Sequence, residues 1–239
     1  MILQTHDLWR TFGGVAAVAG VNFNLEEGEL RCLIGANGAG KSTFFKMLTG
    51  QIKPTSGRIT LFGEDATNLP SYAIARKGVG VKTQVPNLFN GLSVRENLFL
   101  AAQRVFDKQA AATAADAMLE TIRMKEQAYT LAGELAHGHR QWVELGMILV
   151  NEPKLVLLDE PAAGMTAGEV ERTIALLNEL RGQRTFIIVE HDMHFIRRIA
   201  EKVTVFHRGR VLVEDTMEAV VRNTEVRDAY LGQHGKEAR

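Results

Sequence analysis

The stretch GANGAGKS, Gly35 to Ser42, decides the fold of this chain. It fits the pattern G-x-x-x-x-G-K-[ST] and lies between LRCLIG, a predicted strand, and KSTFFKMLTG, a predicted helix. Its glycines let the backbone bend so that successive N–H groups point at a phosphate, and the N-terminus of the helix adds its dipole. We expect Lys41 to bridge the β- and γ-phosphates and Ser42 to offer a hydroxyl to Mg²⁺. The stretch therefore predicts a cradle for a nucleoside triphosphate.

Length and composition allow one large domain or a domain with an inserted lobe, since the chain has 239 residues and 46% of them are apolar. Lysine plus arginine and aspartate plus glutamate both number 28, so no net field favours nucleic acid or an anionic membrane. The single cysteine, Cys32, excludes an internal disulfide and fits a reducing cytosol. No apolar run approaches the roughly 18 residues of a membrane span, and the N-terminus lacks a signal-peptide pattern, so we expect a soluble protein.

Apolar periodicity predicts strands at both ends of the chain and helices in the middle. Strand patterns occur in ILQTHDLW, VNFNLEEGE, ELRCLIG, GRITLFGED, KLVLLDE, RTFIIVE and EKVTVFH. Between Leu92 and Val150 helix formers dominate, and Ser93 and Glu96 have the spacing of a capping box. The later strands are continuous apolar runs, as expected of a parallel sheet that is covered on both faces. The pattern therefore predicts an α/β core interrupted by a helical insert.

A second motif, KLVLLDE, supplies acidic side chains at the end of a strand. Its apolar residues, Leu155 to Leu158, place Asp159 at the carboxyl edge of the predicted sheet, where ligands bind in open α/β folds. We expect Asp159 to hold Mg²⁺ through water, and Glu160 to orient the attacking water and accept its proton. Alone, such a run is as often a mere strand end. Together with the phosphate cradle it predicts hydrolysis of the triphosphate.

These residues resemble the ATP-binding subunit of ABC transporters, over a span from about Leu3 to Gly232. The resemblance implies three further contacts in that family's order. Gln84, in VKTQVPNLF, matches the glutamine that contacts Mg²⁺ and the attacking water while its loop responds to the membrane partner. His191, in IIVEHDM, matches the switch histidine at the γ-phosphate, and Phe12, in RTFGG, matches the aromatic residue that stacks on adenine. Taken alone, the three residues fit a solvated loop, a strand cap and the core.

The resemblance also implies a fold class and a division of the chain. We expect an α/β fold with a P-loop NTPase (RecA-like) parallel-sheet core, an N-terminal antiparallel β subdomain and an inserted α-helical lobe. A single ABC ATPase domain, 1–239, is expected to have its nucleotide-binding core at 1–90 and 151–239 and its signature lobe at 91–150. The residues expected to bind the nucleotide are Phe12, Gly35, Asn37, Gly38, Ala39, Gly40, Lys41, Ser42, Thr43 and Gln84. The expected catalytic residues are Lys41, Glu160 and His191, and the expected Mg²⁺ ligands are Ser42, Gln84 and Asp159.

The run LAHGHRQW falls where ABC proteins carry their signature, usually written LSGGQ. The signature caps the nucleotide held by the opposite subunit, because the N-terminus of its helix presents free N–H groups to the γ-phosphate. Beyond it the helix is apolar on more than one side and should be buried. A metal site at the two histidines is an alternative, but neither a cysteine nor a third ligand lies at metal-site spacing. The residues expected to contact the partner's ATP are Leu135, Ala136, His137, Gly138 and His139.

Ala136, His139 and Thr166 are departures from the family pattern. Ala136 replaces the signature serine, whose bond to a charged group contributes roughly 1.5–3 kcal/mol. His139 replaces glutamine, and a protonated imidazole restores a donor there; the ATPase rate between roughly pH 5 and 8, compared with that of His139→Ala, tests this hypothesis. Thr166, in EPAAGMT, stands where the D-loop usually has aspartate, which leaves the contact between subunits open.

The same resemblance indicates a subfamily and a set of partners. HGHRQWVELGMIL, EPAAGMT, VEHDM and RDAYLG look like the ATPase subunits of branched-chain amino acid importers, and QW-E-GM with AGMT looks closest to the urea-transport branch. The resemblance implies an ATPase that uses ATP and Mg²⁺ to energise uptake of a small polar solute, either urea or an amide or branched-chain amino acids. Its implied partners are membrane permease subunits, a second ABC ATPase in a head-to-tail homo- or heterodimer and, indirectly, a solute-binding protein, with no nucleic acid. Its implied place is the cytoplasmic face of the inner membrane, as a peripheral subunit.

Other functions stay open at this point. A non-transport ABC ATPase usually carries tandem cassettes, coiled-coil arms or basic extensions, and none is visible in the sequence. A GTPase needs N-K-x-D, which NEPK at Asn151 does not supply, and a small-molecule kinase has no use for LAHGH. Ala136 and Thr166 leave room for a weakly active partner in an asymmetric ATPase pair. The apolar residues from Phe89 to Leu92 fit a permease contact and lobe core equally well.

Overall fold

A computed structural model describes residues 1–83 and 87–234 of the chain. In chain order the elements are β1 (Leu3–Phe12), β2 (Val15–Leu25), β3 (Leu30–Ile34), α1 (Lys41–Leu48), β4 (Ser56–Leu61), β5 (Glu64–Asp65), α2 (Ser71–Arg76), β6 (Val79–Lys82), α3 (Val94–Ala102), α4 (Lys108–Thr121), α5 (His137–Leu149), β7 (Leu155–Asp159), α6 (Ala167–Leu180), β8 (Thr185–Val189), α7 (Met193–Ile199), β9 (Lys202–His207), β10 (Arg210–Asp215), α8 (Met217–Arg222) and α9 (Thr224–His234). A short 3-10 turn, Ala132–Glu134, precedes α5. Within the described residues no helix is both long and apolar enough to cross a membrane.

The chain divides into two compact units. The first unit contains Met1–Lys77 and Arg181–Arg239, and the second contains Gly78–Leu180. The predicted signature lobe, 91–150, lies inside the second unit. All the elements that the structure describes in this range are helical. The division into a nucleotide-binding core and a signature lobe stays a prediction.

The first unit contains both kinds of sheet that the sequence predicts. One is antiparallel, in the order β2-β1-β4-β5, and the other has the order β10-β9-β3-β8. In the second sheet β3 pairs in parallel with β8 and β9, while β9 and β10 form the predicted hairpin. Its turn places Arg208 and Gly209 at φ 48° and 77°, as a tight two-residue hairpin requires. The mixture of a parallel core and an N-terminal antiparallel sheet confirms the predicted fold class.

The centre of the parallel sheet is apolar except for one buried charge. All five residues of β3 are buried, and burial raises the pKa of the Cys32 thiol well above its usual range. Arg31 is only 1% exposed, and its guanidinium contacts the carboxylates of Glu29 at 2.6 Å and Glu214 at 2.5 Å. It also donates to the hydroxyl of Thr204 at 2.9 Å. The buried guanidinium is therefore paired with two carboxylates and a hydroxyl, and these bonds hold in place β3, the strand that leads to the glycine loop.

In the second unit, residues of α5 are buried along its length, as the two apolar stripes in its sequence predict. Trp142 is 2% exposed, donates from Nε1 to the hydroxyl of Thr173 at 2.9 Å, and stacks under the guanidinium of Arg172 at 4.0 Å. A Cβ at Gly146 would lie 2.9 Å from side-chain atoms of the lobe. The predicted capping box of α3 is present, since Ser93 and Glu96 bond each other reciprocally. These local predictions are confirmed.

Candidate functional site

The glycine loop between β3 and α1 is held so tightly that two of its positions accept only glycine. Gly35 and Gly40 have φ of 150° and 106°. A Cβ at Gly35 would lie 2.4 Å from the carbonyl oxygen of Phe206, and a Cβ at Gly40 would lie 2.4 Å from that of Ala17. Neighbouring backbone therefore surrounds the loop. Gly38 differs, because its φ is 76° but nothing lies within 4 Å of a Cβ built there.

Lys41 and Ser42 begin α1 directly after this loop. The Lys41 ammonium donates to the carbonyl oxygens of Gly35 at 2.5 Å and Ala36 at 3.1 Å, so it lies across the loop. Ser42 is exposed, at the N-terminal end of the helix. A helix N-terminus with free N–H groups and an adjacent ammonium is a site for an anion such as phosphate. Asn37, Ala39 and Thr43 lie in the same continuous segment.

His191 emerges at the same edge of the first unit's sheet as the glycine loop. In the parallel ladder of β3 and β8, Leu33 pairs with Val189, so Gly35 and His191 each follow the carboxyl end of adjacent strands. The His191 side chain is 70% exposed. The sequence analysis missed Glu190, which is 2% exposed, accepts the N–H groups of His191 and Asp192 at 2.8 and 3.1 Å, and lies 3.7 Å from His191 Nδ1.

Phe12 lies at the end of β1, in the hairpin whose second strand supports the glycine loop. Its side chain is 43% exposed, and the guanidinium of Arg10 lies 4.4 Å from the centre of its ring. Ala17, on β2 of the same hairpin, is the residue whose carbonyl abuts Gly40. Phe12 therefore belongs to the same β1–β2 hairpin that contacts the glycine loop through Ala17. An exposed ring is suited to stacking, and the core interpretation of Phe12 does not hold.

In the second unit Asp159 ends the buried strand β7. β6 and β7 are parallel with Lys82 opposite Leu158, so Asp159 lies at the same edge as the chain that leaves β6. Asp159 is 8% exposed. Glu160 follows with φ 47°, in the left-handed region where a non-glycine residue costs about 1–3 kcal/mol. Glu152, in the same unit, has a similar φ of 50°, so this conformation does not by itself distinguish Glu160, and its catalytic role stays a prediction. Gln84 lies outside the described residues.

A buried ion pair lies at the end of β6, two residues before Gln84 in the sequence. Lys82 is 1% exposed, and its Nζ lies 3.6 Å from Oε2 of Glu144, a residue of α5. Glu144 also accepts the N–H of Asn87 at 3.1 Å. Burial raises the pKa of Glu144, while Lys82 and the Asn87 N–H act in the opposite direction. No sequence pattern indicates this pair, because a lysine at a strand end and a glutamate in a helix are each common.

The signature tip, which we define as Ala136 to His139, forms the N-terminus of α5. Ala136 is the N-cap residue and provides no side-chain cap, and Leu135 precedes it in extended conformation. His137 Nε2 lies 3.1 Å from the carbonyl oxygen of Ala163 and 3.1 Å from Gln141 Nε2. His139 turns the other way, with its ring centre 5.3 Å from that of Trp142. The histidines therefore face different neighbours, and no metal-binding group of His, Cys, Asp and Glu occurs in the described parts of the chain.

Thr166, the residue in place of the usual aspartate, caps α6. Its N–H and hydroxyl donate to Glu169 Oε2 at 2.8 and 2.9 Å, while its hydroxyl accepts the N–H of Glu169 at 3.4 Å. This is a capping box, and the spacing T-x-x-E from Thr166 to Glu169 is the sequence signal for it. Glu169 is a further residue that the sequence analysis missed. The contact between subunits that the D-loop usually makes stays a prediction.

Comparisons with known proteins agree with this geometry. The family model described as ABC transporter matches residues 18–163. The high-affinity branched-chain amino acid transport ATP-binding protein BraF of Pseudomonas aeruginosa is 36% identical over 250 residues, covering 97% of this chain and 98% of the relative. The corresponding protein LivG of Escherichia coli has the same identity and coverage. A solved ATP-binding cassette of an ABC transporter has a TM-score of 0.87 at 26% identity, covering 96% of this chain and 98% of that one. The chain therefore belongs to the ABC transporter family, as one of its ATP-binding cassettes.

Proposed function

We propose that the chain is the ATP-binding and ATP-hydrolysing subunit of an importer, and that closure of a cassette dimer on ATP drives the permease. The observation that carries the proposal is the glycine loop. Backbone surrounds Gly35 and Gly40 where a Cβ would lie, and Lys41 reaches across the loop. A glycine-rich turn that leads into a helix N-terminus is suited to point successive N–H groups at a phosphate. Family membership supports the same conclusion.

Each predicted residue has a distinct task in this proposal. The N–H groups from 35 to 43 bind the phosphates, Lys41 neutralises their charge, and Phe12 stacks on adenine. Glu160 orients the attacking water and accepts its proton. His191 donates to the γ-phosphate, and the buried carboxylate of Glu190 holds its backbone and faces its Nδ1. Removing the Glu190 charge would therefore loosen the switch histidine without touching the nucleotide.

We propose Mg²⁺ as the cofactor. The hydroxyl of Ser42 and the carboxylate of Asp159, which the sequence predicts as ligands, are hard oxygen donors of the kind that Mg²⁺ prefers. Ser42, Asp159 and Gln84 are the residues that would hold it. When bound, the ion neutralises charge on the transferred phosphoryl group.

The proposed partners are a second cassette and two permease subunits. The signature tip would cap the ATP of the second cassette, either a copy of this chain or a similar protein. BraG of Pseudomonas aeruginosa, another branched-chain amino acid transport ATP-binding protein, is 35% identical over 92% of this chain, which supports pairing of unlike cassettes. Phe89 is 57% exposed, and its N–H donates to the side-chain oxygen of the buried Asn97 at 2.9 Å. This exposure favours the permease contact over lobe core at that position, with the subunit docked on the cytoplasmic side of the membrane.

Branched-chain amino acids are the solute that the relatives' names support. BraF and LivG are both named for their transport. Urea or an amide is a finer prediction that rests on the runs QW-E-GM and AGMT. We expect leucine, and not urea, to stimulate ATP hydrolysis when the chain is reconstituted with its permeases and solute-binding protein. Stimulation by urea alone would assign the chain to the urea branch.

The test of ATP binding compares two lysines of one helix. Lys41→Ala should weaken binding of a fluorescent ATP analogue by more than about tenfold, because an ammonium bound to phosphate contributes about 1.5–3 kcal/mol. Lys46→Ala, on the exposed side of the same helix, is the matched control and should bind as wild type does. Equal binding by wild type and Lys41→Ala would refute the cradle.

One observation favours a second candidate, a weakly active partner in an asymmetric pair. Ala136 leaves the signature helix without a side-chain cap. Ala136→Ser restores a hydroxyl and should raise ATP turnover about tenfold if the missing bond limits the reaction. An unchanged rate would show that the site works as it is.

A further inference from the structure

The signature tip and the start of α6 meet at one carboxylate. Glu169 is fixed by the N–H and hydroxyl of Thr166. Its carboxylate lies directly against Gly138, because a Cβ built on Gly138 would be 2.1 Å from Glu169 Oε1 and 2.3 Å from Cδ. Gly138 lies inside α5, and it is not among the glycines with positive φ. A side chain at this position would displace the carboxylate of Glu169, whereas the backbone conformation there suits any residue.

The negative charge of Glu169 is compensated by hydrogen bonds from Thr166 and by the basic side chains of His139 and Arg172. The Thr166 N–H is the main cause that lowers the pKa of Glu169, opposed by burial and aided by the Thr166 hydroxyl, His139 and Arg172. His139 and Arg172 also line one open cavity, together with Glu120, Arg123, Met124, Lys125, Glu126 and Gln127. The carboxylate is therefore ionised at neutral pH beside two basic side chains. It does not present an uncompensated negative charge to an incoming phosphate.

Thr166 is the residue that makes this arrangement possible. Its hydroxyl oxygen lies 2.9 Å from Glu169 Oε2 and donates to it. The backbone N–H of position 166 would still donate to Glu169 in an aspartate variant. The aspartate side chain, however, has no hydrogen to donate and would bring a second carboxylate to the same place. Like charges so close cannot both remain ionised and in contact. Thr166, the residue that departs from the family pattern, and Gly138 are thus connected through the one carboxylate of Glu169.

We propose that Glu169 is a positioning residue for the signature: with Thr166 and Gly138 it forms a signature lock, which fixes the tip of α5 against the loop 160–166. The lock keeps the free N–H groups of the tip aimed at the partner's ATP. A second contact acts in the same direction, since His137 Nε2 lies 3.1 Å from the carbonyl oxygen of Ala163 in that loop. The proposal deepens the proposed function and rests on it.

The chain contains a matched capping box that lacks the lock. At the start of α3, Ser93 donates to Glu96 Oε2 from its N–H at 2.8 Å and its hydroxyl at 2.7 Å, and accepts the N–H of Glu96 at 3.2 Å. The chemistry is that of Thr166 and Glu169, but α3 carries no signature. Ser93→Asp therefore makes the same chemical change at a helix start where we expect no effect on turnover.

The experiment is a cycle of Thr166→Asp, Glu169→Gln and the double variant, with Ser93→Asp as control. Thr166→Asp still offers α6 a cap acceptor, so its Tm should stay within about 4 °C of wild type. Its kcat should fall about ten- to hundredfold, because a displacement of about 1 Å in a positioned group has effects of that size. Its affinity for ATP in the single chain should be unchanged, because the signature acts on the partner's nucleotide. In the double variant the new amide at position 169 can donate to the new carboxylate at position 166, and kcat should return to within about threefold of wild type.

Two outcomes overturn the lock: Thr166→Asp turns over ATP as wild type does, or the double variant is no faster than Thr166→Asp. Hydrogen exchange at the N–H of Arg140, which donates to the carbonyl oxygen of Ala136 at 3.1 Å in the first turn of α5, gives a readout that needs no nucleotide. Exchange should be faster in Thr166→Asp than in wild type and slow again in the double variant; equal rates in all three contradict the proposal. Equal ATP binding by wild type and Lys41→Ala would instead refute the proposed function, while the exchange rates would still decide on the lock.

Discussion

The glycine loop and the signature tip are held by different kinds of contact, although both are proposed to bind phosphate. Around the loop the neighbours are backbone atoms, the carbonyl oxygens of Phe206 and Ala17. Around the tip the neighbours are the side chain of Glu169 and the carbonyl oxygen of Ala163, which His137 contacts. A mutation at a neighbouring position changes its side chain but leaves its backbone carbonyl in place. A substitution of Gly35 or Gly40 therefore cannot be accommodated by a second mutation nearby, and the glycines of the motif are kept. A side chain and the residue that it contacts can change together. The tip at His139 and the neighbouring loop at Thr166 can therefore depart from the family pattern while the contact of Glu169 with the tip is kept.

The largest expected effect separates chemistry from binding. Glu160→Gln should lower ATP turnover about a hundredfold to ten thousandfold, because it removes the general base, while ATP binding is retained. Glu152→Gln is the matched control, since Glu152 is a glutamate of the same unit with a similar φ, 50° against 47°. Steady-state ATP hydrolysis and equilibrium binding check both variants. Unchanged turnover in Glu160→Gln would remove Glu160 from the mechanism.

A large effect on stability is expected beneath the glycine loop. Arg31→Met leaves the carboxylates of Glu29 and Glu214 without the guanidinium that they share, and breaking a buried pair costs about 3–5 kcal/mol. Arg58→Met breaks an exposed pair with Asp65, 3.7 Å apart, which contributes about 0–1 kcal/mol. Urea denaturation measures the free energy of unfolding of each variant. Similar losses for the two would show that the buried network does not support the loop's strand.

The loop itself is tested by two glycines that differ in their surroundings. Gly40→Ala combines a positive φ with a clash against backbone and should weaken ATP binding about a hundredfold. Gly38→Ala has the strain without the clash and should weaken binding about tenfold. Calorimetric titration with ATP compares them. If the two variants bind equally well, close packing of backbone is not what preserves the motif.

The smallest expected effect is the pH dependence of the signature lock. The folded pKa of Glu169 is lowered from its ordinary value of 4.5, so the stability it contributes is present above that pH and is lost as pH falls through the folded pKa. The difference in unfolding free energy between wild type and Glu169→Gln should therefore be constant near neutrality and shrink below about pH 4.5. Urea denaturation at several pH values measures it. A difference that grows on acidification would contradict the sign.

Sequence patterns predicted the parts of the molecule in which short-range chemistry decides the structure. The apolar runs of β3, β7 and β8 and the capping box at Ser93 are examples, because periodicity and spacing determine them. Family resemblance added His191 and the signature, which no local pattern reveals. The contacts that depend on residues distant in sequence were missed: the Lys82–Glu144 pair and the Glu169 contact with Gly138. Neither is visible until the fold brings the residues together.

The most direct test of the account is a crystal structure of Glu160→Gln grown with Mg-ATP. The account predicts a triphosphate bound by the N–H groups between Gly35 and Ser42, and capped by the signature tip of a second cassette whose N–H groups lie within hydrogen-bond distance of the γ-phosphate. A loop without nucleotide, or a tip that faces solvent in the closed assembly, would contradict it.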